Sequence, residues 1–542
     1  MLGGGRRATI GAMRTAFVVT SLLLLSGATA LTQTAAKTTP TACGALQQLQ
    51  VAGVALSVTK AEWFAAGAPT PGGRGGAATP SNLPAYCRLD GVIDRRVGAA
   101  GVTYGIGFAL ALPENWNGRF LFQGGGGLNG SVGAPLGGTA AGNTPGLARG
   151  FAVVSTDTGH QGRGAFDGGF MQDQQANLDF AYAAIGRVAE VAKRIIAQHY
   201  GKAPDKSYFA GCSTGGREAM LMTQRYPLQF DGVIAGAPAM RTNMSGIGDR
   251  WVAATLNEIA PTNAQGQPVT RDALSESDKK VVISGIINAC DAGDGVKDGV
   301  LNNPRACHFN PETLQCRGGV NDDSCLTAPQ VESVKRMYSP ARTKSGEAIF
   351  PGKDPGSELG WNAISGGTQP AGVSLGSFRV AYAESNWDWK NFDLDRDLKV
   401  VDERVGATIN AINPDLSAFK ARGGKLLLYH GWNDTAISAG NAVNYYSSVL
   451  TKMGPKQDDW IRLFMAPGMQ HCGGGPGPNQ VNYVAALERW REAGTAPDQL
   501  LASHVTDNRV DMTRPLCPYP QLAVYKGAGS TNDAASFVCK AP

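Results

Sequence analysis

The stretch Ser207-Tyr-Phe-Ala-Gly-Cys-Ser-Thr-Gly215 decides the fold of this chain. It places the pattern Gly-x-Ser-x-Gly, at 211–215, between a short apolar run and a segment that favours a helix over 215–226. A serine at a sharp turn from strand to helix needs small neighbours, because larger side chains beside it would collide. This setting predicts that Ser213 is an exposed nucleophile. An ordinary loop serine is the alternative, since a glycine-rich chain produces the pentapeptide by chance.

Apolar strands and amphipathic helices alternate on both sides of this turn. We expect strands at 106–112, 119–122, 151–156, 207–210, 232–235, 425–429 and 460–465, and helices at 179–200, 215–226, 438–452 and 482–493. Alternation at this spacing predicts a parallel sheet with crossover helices. The alternation is lost between Pro238 and about Asp415, where four of the ten cysteines lie, so we expect an inserted domain there.

The composition is that of a globular protein. Of the 542 residues, 43% are apolar and 17% are charged, which excludes a disordered chain or a coiled coil. The formal net charge of +5 gives no reason to expect a nucleic-acid partner. Beyond the first thirty residues no stretch reaches the ~18 apolar residues of a spanning helix, so we expect no membrane partner.

Residues 1–30 predict an export signal. Arg6, Arg7 and Arg14 precede an apolar run at 16–25, and the small residues at 28–30 suit a signal peptidase. A short N-terminal anchor is the alternative. The ten cysteines include no Cys-x-x-Cys pair, so we expect disulfide bonds in an oxidising compartment and a secreted or periplasmic protein. Proximity in the sequence suggests the pairs Cys290–Cys307, Cys316–Cys325 and Cys517–Cys539.

A hydrolase with this serine turn needs an acid and then a histidine on loops after later strands. Asp434 follows the strand expected at 425–429, and His471 lies in a glycine-rich loop just past the strand expected at 460–465. His504 also comes late in the chain, but in no such setting. We therefore expect Ser213 as nucleophile, Asp434 as orienting acid and His471 as general base. A helix cap is the alternative role for Asp434.

An acyl-transfer site also needs two N–H groups for the developing oxyanion. Thr214, directly after the serine, supplies the first. The second is expected from the glycine run at 124–127, which follows the strand expected at 119–122. Gly125 or a neighbour is the candidate within this run, and a flexible turn is the alternative. Asp157 and His160 follow another strand end and are candidates for a supporting role.

Four motifs together resemble the tannase and feruloyl esterase family, and the resemblance extends from Cys43 to Cys539. They are Cys-Ser-x-Gly-Gly at 212–216, His-Gly-x-x-Asp at 430–434, Met-x-His-Cys-x-Gly-Gly-Pro at 469–476 and Arg-Pro-Leu-Cys-Pro-Tyr at 514–519. The resemblance implies an α/β-hydrolase core over 43–238 and 415–542, with a large inserted lid domain over 239–414. It also implies a serine carboxylesterase for esters of aromatic acids, of the feruloyl or galloyl type, that needs no organic cofactor.

The same resemblance implies the disulfide pairs. In this family the cysteine before the serine is bonded to the cysteine after the histidine, which implies Cys212–Cys472 here. The other implied pairs are Cys43–Cys87, Cys290–Cys307, Cys316–Cys325 and Cys517–Cys539.

An acidic run in the expected lid is a candidate calcium loop. Asp291, Asp294 and Asp298 lie within eight residues with glycines between them, which suits a solvated turn as well as a calcium loop. The family's calcium site resembles this run. The resemblance implies a structural Ca²⁺ ion, held by the three carboxylates and by the carbonyl groups of Val296 and Val300.

The expected lid also carries the candidates for substrate choice. Phe378, Trp387 and Trp389 are candidates for the acyl pocket, with a place in the core of the lid as the alternative. Only eight residues separate Phe378 from Trp387, which is short for the lid of a terephthalate monoester hydrolase of this family. This departure argues against hydrolysis of that monoester, which is the alternative activity. Further alternatives are a secreted peptidase or lipase with the same triad, and a calcium-dependent binding protein without turnover.

Overall fold

A mixed sheet of nine strands forms the frame of the molecule. The strands of the described chain are β1 Leu56–Phe64, β2 Tyr86–Val97, β3 Thr103–Pro113, β4 Arg119–Gln123, β5 Ala152–Thr156, β6 Lys206–Cys212, β7 Gly232–Gly236, β8 Ala341–Arg342, β9 Ala348–Phe350, β10 Lys425–Gly431, β11 Ile461–Ala466, β12 Leu500–Thr506, β13 Arg509–Leu516, β14 Leu522–Tyr525 and β15 Phe537–Lys540. The nine strands lie in the order β1-β2-β3-β5-β4-β6-β7-β10-β11. The computed structural model describes residues 37–67, 82–318, 322–363 and 393–542, which belong to one compact unit.

The half of the sheet that carries the site is parallel. Strands β5, β4, β6, β7, β10 and β11 run in one direction, whereas β1, β2, β3 and β5 pair antiparallel. This confirms the predicted parallel sheet with crossover helices and the α/β-hydrolase type of core. The apolar runs at 106–112 and 119–122 both form strands, but β5 lies between them in the sheet.

Helices cover both faces of the sheet. Those of the described chain are α1 Pro40–Ala45, α2 Gln174–Leu178, α3 Ala184–Tyr200, α4 Thr214–Gln224, α5 Thr242–Ile259, α6 Glu276–Cys290, α7 Ala328–Tyr338, α8 Leu394–Val401, α9 Ala407–Ile409, α10 Ser417–Ala421, α11 Gly440–Met453 and α12 Tyr483–Ala493. Successive strand residues point to opposite faces. Phe120 and Phe122 thus pack in a core shared with α3, α4 and α11, while Leu121 packs in a second core shared with α12.

The segment between β7 and β10 has a hydrophobic core of its own. Residues of α5, α6 and α7 pack there around Val282, Leu326 and Trp361. Farther along, Val401 and Val405 pack against Phe170 and other residues of the first half of the chain. The domain boundaries 43–238, 239–414 and 415–542 remain predictions. The expected signal at 1–30 and the aromatic residues Phe378, Trp387 and Trp389 lie outside the described residues.

The cysteines form the five disulfide bonds that the family resemblance implies. They are Cys43–Cys87, Cys212–Cys472, Cys290–Cys307, Cys316–Cys325 and Cys517–Cys539. The last of these ties β15 to the end of β13, where two C-terminal hairpins, β12–β13 and β14–β15, lie beyond the elements that the sequence pattern predicted. Within the described ranges, no helix is both long and apolar enough to cross a membrane.

Candidate active site

Ser213 lies at a strained turn between β6 and α4. Its backbone has φ 63° and ψ −122°, which is rare for a residue with a side chain. A Cβ atom on Gly211 would lie 2.1 Å from the carbonyl oxygen of Gly215, and one on Gly215 would lie 2.6 Å from that of Gly125. Both glycines of the pattern are therefore required by the close approach of backbone, as expected for a nucleophile turn.

Asp434 and His471 come together at the ends of adjacent strands. Asp434 follows β10, His471 follows β11, and His471 Nδ1 lies 2.8 Å from Asp434 Oδ2. The other oxygen of Asp434 accepts the N–H groups of Ala436 and Ile437, each at 2.9 Å. Burial disfavours the charged form of this carboxyl, but the adjacent His471 and the hydrogen bonds from both His430 and His471 outweigh it and hold the pKa of Asp434 well below its usual range.

A second histidine contacts the same carboxylate. His430, at the end of β10, is completely buried, and its Nε2 lies 3.0 Å from Asp434 Oδ2 and 2.9 Å from the carbonyl oxygen of Ile437. Because both neighbours of Nε2 are acceptors, this nitrogen carries the proton and donates it. In the sequence, His430 stands out only as the first residue of the motif at 430–434. Its spacing of four residues from Asp434 was the signal that could have revealed the contact.

The glycine loop after β4 packs directly on the serine turn. The N–H of Gly215 donates to the carbonyl oxygen of Gly125 at 3.1 Å, and the Thr214 hydroxyl donates to that of Gly127. The N–H of Gly125 donates to Glu218 Oε2 at 3.0 Å and is thereby occupied. Of the expected candidates, Gly125 or a neighbour, the structure therefore leaves the neighbour as the free donor.

The next N–H groups along this loop are free instead. Among the described residues, the N–H groups of Thr214, Gly126 and Gly127 have no hydrogen-bond acceptor. A Cβ atom on Gly126 would meet nothing within 4 Å, so this residue borders open space, whereas one on Gly127 would lie 2.3 Å from the carbonyl oxygen of Ala165. The geometry therefore favours Gly126, together with Thr214, as the pair of donors.

A family model described as tannase and feruloyl esterase matches residues 91–540. The chain belongs to the tannase and feruloyl esterase family. It is therefore a carboxylic ester hydrolase. The same pattern of strand, serine turn and helix that decided the fold lies inside the matched range.

Several relatives resemble the chain over most of its length. It is 36% identical over 535 residues to a mono(2-hydroxyethyl) terephthalate hydrolase of Piscinibacter sakaiensis, with 86% of each chain covered. It is 34% identical over 450 residues to a probable feruloyl esterase B-2 of Neosartorya fischeri, with 79% of this chain and 82% of the relative covered.

Two solved structures share the fold. Feruloyl esterase B from Aspergillus oryzae superposes with a TM-score of 0.81 at 29% identity, covering 92% of this chain and 100% of its own. Tannin acyl hydrolase from Aspergillus niger superposes with a TM-score of 0.72 at 20% identity, covering 93% and 95%. The tannase and feruloyl esterase family thus accounts for the fold as well as the motifs.

Asp157 and His160 lie beside Gly130, which follows the glycine loop in the chain. Asp157 Oδ1 accepts the N–H groups of Gly107 and Gly159 at 2.9 Å, and its backbone carbonyl accepts that of Gly130 at 3.0 Å. Burial raises the pKa of Asp157 to about 7. His160 is buried against the ring of Phe170, and burial lowers its pKa to about 4. Among the described residues, no hydrogen bond joins Asp157 or His160 to Ser213, and a supporting role for the two stays a prediction.

The acidic run of the expected lid forms a tight loop. Asp291, Asp294 and Asp298 each accept a backbone N–H at 3.0 to 3.1 Å, from Gly299, Val296 and Val300. Asp298 also contacts Arg514 at 2.5 Å. Across the part of the chain that the structure describes, no group of three or more His, Cys, Asp or Glu side chains is arranged to hold a metal ion. The calcium site, including the carbonyl ligands expected from Val296 and Val300, therefore stays a prediction.

Proposed function

We propose that this protein is a serine carboxylesterase that hydrolyses esters of aromatic acids, of the feruloyl or galloyl type, through an acyl-enzyme. The observation that carries the proposal is the contact of His471 Nδ1 with Asp434 Oδ2, at the same edge of the sheet as the strained Ser213. The substrate class is supported by the tannase and feruloyl esterase family and by its members, which include a probable feruloyl esterase B-2 at 34% identity and feruloyl esterase B at 29%.

In the proposed reaction Ser213 Oγ attacks the ester carbonyl carbon and His471 Nε2 takes the hydroxyl proton. Asp434 holds the ring by Nδ1 and stabilises the imidazolium that forms. The N–H groups of Thr214 and Gly126 bind the oxyanion of the tetrahedral intermediate. His471 then returns the proton to the leaving alcohol, and a water molecule releases the aromatic acid by the same steps in reverse order.

The decisive test is Ser213→Ala with p-nitrophenyl acetate and methyl ferulate as substrates. We expect kcat to fall by about 10⁴-fold or more, because the hydroxyl forms the covalent bond, while the melting temperature stays near that of the wild type. Labelling with an aryl phosphonate should modify Ser213 alone. Residual activity within tenfold of the wild type would exclude this serine as nucleophile.

Hydrolysis of a terephthalate monoester is a second candidate activity. It is supported by the 36% identity to the Piscinibacter sakaiensis enzyme. A panel of methyl gallate, methyl ferulate and mono(2-hydroxyethyl) terephthalate separates the candidates by their kcat/KM values. A kcat/KM for the terephthalate monoester at least tenfold above those of the other two would replace the first candidate by the second.

The proposal extends to a structural calcium ion and to export. Three carboxylates and two backbone carbonyl groups are oxygen donors of the kind that Ca²⁺ prefers, and they come from a run of ten residues, 291–300. Five disulfide bonds support maturation in an oxidising compartment, as for a secreted or periplasmic protein.

A further inference from the structure

We propose that Glu218 is a positioning residue that sets the oxyanion site by holding the glycine loop on the serine turn. The proposal rests on the function proposed above, because it assigns the oxyanion to the N–H groups of Thr214 and Gly126. Glu218 lies in α4, five residues after Ser213, and its side chain is completely buried.

The carboxylate of Glu218 joins two points of the loop. Its Oε2 accepts the N–H of Gly125 at 3.0 Å, and its Oε1 accepts the side-chain amide of Asn129 at 2.6 Å. A Cβ atom on Gly124 would lie 3.1 Å from Oε2, so the loop backbone runs directly over the carboxylate. One side chain of α4, the helix that follows Ser213, therefore fixes both ends of the turn at 125–129.

The remaining hydrogen bonds of the loop show which of its N–H groups the Glu218 contact leaves free. Gly124 donates to the carbonyl oxygen of Ala210 in β6 at 2.9 Å, and Gly125 accepts from Gly215 at 3.1 Å. With the N–H of Gly125 bound to Glu218, the N–H groups of Gly126 and Gly127 stay without an acceptor, and Gly126 is the one of the two that borders open space. Without an acceptor at position 218, the N–H of Gly125 would compete with that of Gly126 for the oxyanion. The loop would also lose the contact that holds it against α4.

The burial of the carboxylate requires partners, and the structure supplies them. A buried acceptor without donors is costly, and here each oxygen has one N–H donor. Burial raises the pKa of Glu218, and the charge of the neighbouring Arg217 opposes this shift. The Arg217 guanidinium donates to the carbonyl groups of Phe180, Ala181 and Ile409, which anchors α4 behind the loop.

Asn129 offers a means of separating the hydrogen bonds from the charge. Its Oδ1 is buried and has no hydrogen-bond partner. In Glu218→Gln the new Oε1 can still accept from Gly125, and a flip of the Asn129 amide would let Oδ1 accept from the new NH₂ group. Glu218→Met keeps the length of the side chain and removes both acceptors.

The experiment compares Glu218→Met, Glu218→Gln and the matched control Thr223→Val by steady-state kinetics on methyl ferulate, well below each melting temperature. Thr223 is a buried polar residue of the same helix whose hydroxyl donates to the carbonyl of Met220, away from the loop. We expect Glu218→Met to lower kcat about 10- to 100-fold with KM within threefold, since a displaced oxyanion donor acts on the transition state. Glu218→Gln should recover kcat to within about threefold, and Thr223→Val should lower only the melting temperature.

A boronic acid inhibitor gives the second measurement, because its tetrahedral adduct on the serine places an oxygen in the oxyanion site. Its affinity should fall in Glu218→Met by the same factor as kcat/KM, while inhibition by free ferulate should not change. If Glu218→Met does not fold, Glu218→Asp takes its place in the experiment. It withdraws the carboxylate by one methylene and should show the same loss of kcat. The proposal is overturned if the methionine or aspartate variant keeps kcat within threefold of Thr223→Val, or if boronate affinity is unchanged. Phosphonate labelling of Ser213 in the same variants keeps this result separate from a failure of the proposed function.

Discussion

His430 Nε2 lies 3.0 Å from the oxygen of Asp434 that also binds His471. One carboxylate oxygen thus accepts from two imidazole rings, of which one is buried and the other faces the site. A second donor on the same carboxylate oxygen limits how strongly that carboxylate attracts the imidazolium. The pH profile of the enzyme therefore depends on His430 as well as on the triad.

Replacement of His430 by Phe should shift that profile. Without the Nε2 donor, the Asp434 carboxylate is less stabilised and binds the protonated ring of His471 more strongly. The acid limb of the kcat/KM profile should move to higher pH, and kcat should fall on the order of tenfold. His430→Gln, which keeps an N–H donor, should lie closer to the wild type. The charge of Asp354 also interacts with His430, and this residue is left unchanged. An acid limb that does not move in the Phe variant would contradict the prediction.

Asp157→Asn should stabilise the protein at neutral pH. Burial raises the pKa of Asp157 to about 7 in the folded chain, above the value of an unfolded aspartate. The folded state therefore favours the neutral form, and its stability falls as pH rises from about 4 to about 7. The asparagine variant lacks this loss, so its melting temperature should exceed that of the wild type at pH 7.5 and match it at pH 4. Equal melting temperatures at both pH values would show that Asp157 titrates normally.

The disulfide Cys212–Cys472 should matter for turnover beyond its effect on stability. It joins the residue before Ser213 to the residue after His471, with 6.0 Å between the Cα atoms. A displacement of about 1 Å at a catalytic group can cost on the order of a hundredfold in rate. The double variant Cys212→Ser/Cys472→Ser should therefore lose about that much kcat at temperatures where it is folded. The control Cys517→Ser/Cys539→Ser removes a bond of the C-terminal hairpins and should lower the melting temperature with kcat retained. If the two double variants have the same kcat, the catalytic importance of this bond is refuted.

Chelation should lower the melting temperature if the loop at 291–300 binds calcium. A ligand that binds only the folded state stabilises it by about 2.7 kcal/mol at a hundredfold excess over Kd. Asp294→Asn should make the melting temperature insensitive to added calcium, whereas Asp322→Asn, in an exposed acidic turn outside the loop, should leave the calcium effect intact. A wild-type melting curve unchanged by chelator, with no calcium found by metal analysis, would identify the loop as an acidic turn stabilised by its own hydrogen bonds.

The sequence by itself determined the parallel half of the sheet and pointed to the three residues that we propose as the triad. Apolar periodicity is a local property, so the runs at 207–210, 232–235 and 425–429 predicted strands that the structure contains. The order of serine, acid and histidine along the chain follows from the order of the strands, because each residue occupies the loop after its own strand. The disulfide pairing came from the resemblance to a family, since proximity along the chain suggested only three of the five pairs.

Tertiary structure alone decided which N–H groups remain free and which side chains hold the site. Gly125 and Gly126 are indistinguishable in a run of four glycines, and the choice between them depends on Glu218, a residue 93 positions away. On the side away from β2, strand β3 pairs with β5 and not with β4, and no local pattern encodes this arrangement. The physical reason is the same in both cases. The exposure and periodicity of a segment are determined by its own residues, whereas the partner of a buried polar group is determined by whichever distant residue folding brings within hydrogen-bond distance.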